Sequence, residues 1–331
     1  NYRKYFPLFT LITSFASIAW LSGDLRLMVL FWGATLLSLT LLIRVNRSWK
    51  IPYEAAKVSG KSFALGWLSL LVAVILLYVA TGNWHINVTL ANDDVITSGM
   101  RFIIDMLIVL AVIVPAAQFP FQSWLIESVA APTPVSAIMH AGIVNAGGII
   151  LTRFSPVFND PLAITILLII ASISVLLGSG ISLVHVDYKR QLVGSTMSQM
   201  GFMLVQCALG VYSAAIIHLI LHGVFKATLF LQSGSVVKRF NIPIPPSAKR
   251  SYSWVVLGRC LAIIIAILFW LGSDRSAYEI LSALILAWSL MVSWNQMVAF
   301  SRGLIGRVIG IIMIVIVALV YIVTRSEEHT S

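Results

Sequence analysis

The sequence predicts an all-α polytopic membrane protein with about eleven transmembrane helices. Of its 331 residues, 59% are hydrophobic and only 10% are charged, whereas ordinary soluble domains carry about 25% charged residues. The mean hydropathy is +0.97. Apolar runs recur that reach the ~18 residues needed to cross a hydrocarbon core of about 30 Å. These three observations exclude a soluble globular protein.

Each apolar run is interpreted as one span. In chain order the runs lie near residues 5–21, 26–43, 63–81, 98–117, 134–152, 161–183, 191–209, 212–235, 254–272, 277–297 and 308–324. We expect one transmembrane domain over residues 1–324. Both ends are expected to be truncated, since the first residue is not Met and the last seven residues do not continue the final apolar run. Residues 325–331 depart abruptly from the preceding apolar run and are expected to be a non-native tail.

The formal net charge of +10 is explained by topology. With the N-terminus inside, the inner loops hold Arg3, Lys4, Arg44, Arg47, Lys50, Lys57, Lys61, Lys189, Arg190, Lys238, Arg239, Lys249, Arg250, Arg302 and Arg307. The outer side holds Arg26, Arg101, Arg153 and Arg275. This is the positive-inside pattern, so a nucleic-acid partner has no support. The two longest polar loops, 44–62 and 236–253, are predicted to be connectors.

No cofactor or metal motif is found. The two cysteines, Cys207 and Cys260, lie inside apolar runs and have no metal-ligand spacing. Gly178-Ser179-Gly180 lacks the third glycine of a dinucleotide fingerprint. We therefore predict no bound cofactor, no metal and no catalytic residue, and we expect a transporter subunit instead of an enzyme.

Three titratable residues share one face of the span near 212–235. His218, His222 and Lys226 are spaced by four residues each, so on a helix they form a line spreading over about 80° and rising about 12 Å. We call these three residues the central stripe. Ionisable groups inside a membrane cost at least ~2.5 kcal/mol and mark function by default. The stripe predicts a proton or ion path; the alternative is that the histidines only pin neighbouring helices through hydrogen bonds.

Prolines interrupt the helical pattern before the next candidate, His140. They lie at Pro115, Pro120, Pro132 and Pro134. Broken backbone is tolerated at membrane depth only where it is buried in protein or lines a cavity, and discontinuous helices often hold the ion path of transporters. We predict a broken-helix segment here, with His140 facing it. The alternative is an extramembrane loop followed by a core histidine.

Two further features of the sequence, Asp105 and residues 194–201, can be explained by structural roles without a part in ion transport. Asp105 lies near the outer end of its span and serves either ion entry or contact with the interface. Residues 194–201, GSTMSQMG, form a small-residue helix face that favours close helix packing.

Two segments resemble the antiporter-like subunits of respiratory complex I and of Mrp cation/proton antiporters. They are residues 118–153, QFPFQSWLIESVAAPTPVSAIMHAGIVNAGGIILTR, and residues 187–237, which contain QMGFMLVQCALG and HGVFKATLFLQSGSV. These sequences look most like the DabB branch, the membrane subunits of two-part inorganic carbon uptake systems. Proteins of this branch are often labelled subunit 5 of NADH dehydrogenase.

The resemblance implies a fold of two inverted repeats of five helices, each with a broken helix. The matching path residues are His140, His218, His222 and Lys226. The DabB branch implies conduction of protons or sodium ions that drives a large zinc-containing DabA-like partner, which hydrates CO2 to bicarbonate. The zinc would belong to that partner. The implied location is the bacterial inner membrane.

Two positions depart from the family. The acid that follows Gly-Trp in the respiratory relatives aligns with Gly33, and the lysine before Ser-Ala-Gln-Leu-Pro aligns with Pro115. Asp105 and Glu127 are the carboxylates left to replace part of that pathway. Two alternatives stay open: a subunit of complex I or of an Mrp antiporter, which the missing pair opposes, and a non-conducting scaffold, which the central stripe opposes.

Overall fold

A computed structural model describes residues 2–44, 50–91, 95–233 and 252–271, with a few single positions between 287 and 311. Within these ranges the regular structure is helical, apart from one isolated antiparallel bridge between Asp24 and His85. The helices are α1 (Tyr2–Leu21), α2 (Leu25–Ile43), α3 (Lys50–Thr81), α4 (Ile86–Ala91), α5 (Ser98–Ile113), α6 (Ser123–Glu127), α7 (Thr133–Ala141), α8 (Ala146–Phe154), α9 (Pro161–Val184), α10 (Tyr188–Ala208), α11 (Tyr212–Gln232) and α12 (Tyr252–Leu271).

The prediction of an all-α polytopic membrane protein is confirmed. Five segments are long and apolar enough to cross a membrane, namely Leu25–Ile43, Pro52–Thr81, Thr133–Phe154, Pro161–Val184 and Tyr212–Gln232. The other predicted spans up to residue 272 coincide with α1, α5, α10 and α12. The spans predicted at 277–297 and 308–324, and the tail 325–331, lie outside the continuously described residues.

The connector predicted at 44–62 is wrong over most of its length, because α3 begins at Lys50. Its first turns contain Glu54, Ala55, Ala56 and Lys57, all good helix formers, and Pro52 is tolerated in a first helical turn. Ala55 and Ala56 are buried, so this extension packs against protein. Most of the second predicted connector, 236–253, lies outside the described residues.

Loops assigned to the outer side by the charge pattern meet one another. The amide of Leu25 donates to the carbonyl of Trp84, and the amide of Ile86 donates to the carbonyl of Gly23, both at 2.9 Å. At the end of α8, Arg153 donates to the carbonyls of Trp20 at 2.9 Å and Ser22 at 2.5 Å, where α1 ends. These contacts tie the first two helices to the rest of the bundle at one end.

Glycines let α9 and α10 approach closely. A Cβ added at Gly178 would lie 2.7 Å from the carbonyl oxygen of Gly194 and 2.5 Å from the amide nitrogen of Ser198. Ser179 and Ser198 hydroxyls lie 2.9 Å apart across the same contact. Within residues 194–201, Gly194 and Ser198 therefore pack against α9, as the small side chains of this segment predict. This leaves the opposite face of α10 for α11.

The chain divides into two compact units, residues 1–238 and 239–331. The first contains α1 to α11 and a continuous apolar core. The second contains α12, where Ala262 is buried with Leu290 and Trp294.

Candidate functional site

The central stripe lies on α11, which packs against α10. Gly210, at φ 79°, ends α10 in the left-handed conformation that glycine adopts without steric cost. Its amide donates to the carbonyl of Cys207, and the next amide, of Val211, donates to the carbonyl of Gln206. The chain therefore reverses within a few residues, and α10 and α11 lie side by side.

Lys226 is fully buried, and both of its described hydrogen bonds go to α10. Its Nζ donates to Ser195 Oγ at 2.6 Å and to the carbonyl oxygen of Leu192 at 3.1 Å. A buried ammonium group is costly unless its protons are accepted. α10 meets that need with one hydroxyl and one backbone carbonyl, so no carboxylate of the described chain neutralises this group by direct contact.

His140 of α7 is linked to the same carbonyl through the Thr196 hydroxyl. Its Nδ1 lies 3.1 Å from Thr196 Oγ1, and the Thr196 hydroxyl donates to Leu192 O at 2.9 Å. Since that hydroxyl proton is already used, Thr196 Oγ1 acts as the acceptor and His140 Nδ1 as the donor. Leu192 O thus joins His140 and Lys226 in one hydrogen-bonded network across three helices.

The ring of His140 also stacks on Phe230 of α11, with 4.3 Å between ring centroids and 15° between planes. Phe230 lies one turn beyond Lys226 on the same face. It therefore fixes the orientation of His140 beside the end of the central stripe.

The other end of the stripe is hydrogen-bonded to two glutamines of α10. His218 Nδ1 lies 3.1 Å from Gln206 Oε1, and His218 Nε2 lies 2.9 Å from Gln199 Oε1. His222 lies between the two ends, with its ring 6.2 Å from that of His218 in an edge-on arrangement. It is buried, and neither of its ring nitrogens has a hydrogen-bond partner among the described residues.

The broken-helix segment begins where α5 ends at Ile113. The amide of Gln118 donates to Ile113 O, Ala117 adopts φ 53°, and the amide of Phe119 donates to Ser174 Oγ of α9 at 2.9 Å. The indole of Trp124 donates to Val114 O at 2.8 Å. Backbone groups freed by the break are thus satisfied inside the protein, as membrane depth requires. Pro115 and Pro120 lie in this irregular stretch.

The helix that follows is also broken, which the single predicted span 134–152 did not anticipate. Pro132 precedes α7 and Pro134 lies in its first turn, where a proline costs no hydrogen bond. α7 ends at Ala141, and a 3₁₀ turn at Ile143–Asn145 leads into α8. Asn145 Nδ2 donates to Ala141 O at 2.7 Å. A Cβ on Gly223 of α11 would lie 2.9 Å from that same oxygen, so the break packs directly against the helix of the stripe.

The two predicted carboxylates do not join this network. Asp105 is buried, and its Oδ2 accepts the backbone amides of Asn159 at 3.1 Å and Asp160 at 2.9 Å. This holds the turn that starts α9. Glu127 is exposed at the end of α6. Of the six residues predicted for the path, the structure brings together His140, His218, His222 and Lys226.

Metal ligands are not grouped in the part of the chain that the structure describes. No cluster of three His, Cys, Asp or Glu side chains there could hold a metal ion. Cys207 is buried in α10 and Cys260 is exposed on α12, and both are free thiols.

The sequence interpretation missed the hydrogen-bond acceptors that α10 offers to the path residues. These acceptors are Leu192 (through its carbonyl), Ser195, Thr196, Gln199 and Gln206. The main interpretation of residues 194–201 from the sequence is close helix packing. Two glutamines inside a predicted span were the available signal, because an amide at membrane depth needs a partner.

A model of the family described as NADH:quinone oxidoreductase/Mrp antiporter, transmembrane, matches residues 22–310. The chain belongs to this antiporter family. The match covers the broken-helix segment and the central stripe together, and it also includes the second compact unit up to residue 310.

Individual relatives agree with the family. The chain is 61% identical over 98% of its length to the "Probable inorganic carbon transporter subunit DabB" of Bacillus subtilis, covering 64% of that protein. It is 56% identical over 99% of its length to the protein of the same name in Bacillus anthracis, covering 65%. The chain thus spans about two thirds of the length of these relatives. Among solved structures, the Mrp complex from Dietzia contains a chain 27% identical, with a TM-score of 0.70 over 95% of this chain and 34% of that one.

Proposed function

We propose that this chain is part of a membrane subunit that conducts protons, or sodium ions, to energise uptake of inorganic carbon. The observation that carries this proposal is the line of titratable side chains on α7 and α11 with their acceptors on α10, in which His140, His222 and Lys226 are buried and His218 is partly buried. Lys226 bonds the carbonyl of Leu192 directly and His140 is linked to it through the Thr196 hydroxyl. His222 and His218 continue the line along α11. Imidazole and ammonium groups in register offer successive sites for a proton.

The carbon-uptake part of the proposal comes from the relatives. Both Bacillus proteins are described as inorganic carbon transporter subunits, and the identity to them extends over nearly all of this chain. By this inference the partner is a large DabA-like zinc protein, and the zinc hydrates CO2 to bicarbonate there. The present chain would supply the ion path, and its location would be the bacterial inner membrane.

Growth of a carbonic-anhydrase-deficient bacterium in ambient air tests this function. The full-length gene containing this sequence is expressed with its neighbouring partner gene, with and without a protonophore. We expect rescue that is lost with the protonophore and with Lys226→Ala. Lys57→Ala is the matched control, because Lys57 is exposed on α3 and lies outside the network.

The outcomes separate the alternatives. Rescue that survives Lys226→Ala would rule out the central stripe as the path. Rescue that survives the protonophore as well would favour the non-conducting scaffold. Failure of rescue with both proteins present in the membrane would favour a subunit of complex I or of an Mrp antiporter.

A further inference from the structure

His218 is the only member of the central stripe whose two ring nitrogens both have described side-chain partners. Both partners are glutamine amides of α10, with Gln206 at Nδ1 and Gln199 at Nε2. Both contacts are made through amide oxygens, at 3.1 Å and 2.9 Å. Placing two amides within a membrane helix is costly unless they are hydrogen-bonded, so this arrangement calls for a role.

The chemistry of the amide suggests what that role is. Two oxygens match the charged imidazolium, which donates from both nitrogens, whereas the neutral ring has one donor and one acceptor. A glutamine amide that turns by half a rotation presents its NH2 in place of its oxygen. A pair of glutamines can therefore bond both protonation states of the histidine, which a pair of carboxylates or of lysines cannot.

Few other titratable or charged side chains contact His218. Among the described helices, α7, α8 and α10 make the most extensive contacts with α11. Their titratable or charged side chains are His140, Arg153, Tyr188, Lys189, Arg190 and Cys207, and α11 itself carries Tyr212, His222 and Lys226. Within the described part of the chain, only His222 of these makes a ring or hydrogen-bond contact with His218. Phe202 contributes an apolar ring at 5.7 Å.

We propose that Gln199 and Gln206 are positioning residues for His218, holding its ring edge-on to His222 whether or not it carries the proton. One amide rotates when the ring changes state. Neither amide gains or loses a proton. The proton moves between His218 and the next proton-carrying group of the path, which lies on the side of His222. This inference rests on the proposed function, because it assigns the glutamines a part in ion conduction through the central stripe.

Proton flux into liposomes that contain the purified full-length complex tests the role. Flux is measured with a pH-sensitive dye between about pH 5 and pH 8, with dissolved CO2 supplied. Gln206→Leu and Gln199→Leu remove one partner of the ring each. Because each variant leaves one ring nitrogen of His218 without its described partner, we expect each to lower the flux by about tenfold or more.

Gln206→Glu gives the sharper readout. A carboxylate accepts hydrogen bonds but has no NH2 to offer the neutral ring, and its charge favours the imidazolium. We expect the pH of half-maximal flux to move upward by about one unit. Gln191→Leu is the matched control, because Gln191 lies on the same helix and bonds only the carbonyl of His185 in the described structure.

A purely structural role would reduce the amount of folded complex but leave the pH profile of the remaining flux unchanged, and that result would overturn the inference. His218→Ala and Lys226→Ala separate it from the proposed function. If those two abolish flux while the Gln199 and Gln206 variants behave like Gln191→Leu, only the positioning role fails. If His218→Ala and Lys226→Ala leave flux intact, the path itself fails.

Discussion

The indole of Trp67 occupies the space beside Gly33. A Cβ added at Gly33 would collide with Trp67 Nε1, and that nitrogen donates to the carbonyl of Val29 at 2.9 Å. The preceding residue of α3, Gly66, packs on Pro115, whose Cδ would lie 3.2 Å from a Cβ at position 66. Gly33 and Pro115, the two positions at which the family resemblance predicts an acid and a lysine, thus each pack against α3.

We expect Gly33→Ala to destabilise the protein by about 1–3 kcal/mol, because overpacking a closed contact forces neighbouring groups to shift. Thermal unfolding in detergent measures the effect. Adding Trp67→Leu should recover part of the loss by freeing the space. A Gly33→Ala protein as stable as the parent would contradict the close contact between α2 and α3.

The contact between α9 and α10 gives a second prediction with a matched control. Gly178→Ala would place a methyl group against backbone atoms of Gly194 and Ser198, so α9 and α10 must separate. We expect a lower melting temperature and less folded protein in the membrane. Gly180→Ala on the same helix meets no atom within 4 Å and should be neutral or stabilising, since alanine favours helix over glycine by about 1 kcal/mol. Equal effects of the two changes would argue against the close approach.

Arg153 should contribute to stability far more than Arg26. Its guanidinium donates to the carbonyls of Ala19, Trp20 and Ser22 at the end of α1, and Arg153→Met leaves those oxygens without that donor. We expect a loss of about 2–3 kcal/mol, in the range for hydrogen bonds to charged groups. Arg26→Met breaks an ion pair with Asp24 in which the arginine side chain is 62% exposed, so its cost should be much smaller, because solvent screens an exposed ion pair. Unfolding monitored by intrinsic tryptophan fluorescence compares the two.

The spans and the central stripe could be predicted because both depend on local periodicity. Hydrophobic length identifies a helix, and a spacing of four residues places His218, His222 and Lys226 on one face whatever surrounds them. Their partners could not be predicted, since contacts of α11 with Ser195 and Gln206 depend on how α10 rotates against it. The extension of α3 was missed for a related reason: a polar helix and a polar loop have similar composition, and only packing of Ala55 and Ala56 separates them.

The role of Asp105 can be decided by one conservative change. Its Oδ2 accepts two backbone amides of the turn that starts α9, while its Oδ1 has no hydrogen-bond partner in the described structure. An asparagine oxygen can accept the same two amides without carrying charge. We therefore expect Asp105→Asn to retain stability and carbon-dependent growth.

Asp105→Leu removes the acceptor altogether and leaves both amides, of Asn159 and Asp160, without it. At about 1–3 kcal/mol for each of the two unsatisfied buried groups, the protein should lose about 2–6 kcal/mol. Glu127→Gln, an exposed change at the end of α6, controls for loss of a negative charge. If Asp105→Asn instead stopped growth in air while the protein stayed folded, the carboxylate charge itself would be needed, and Asp105 would act in ion entry as well as in holding the turn.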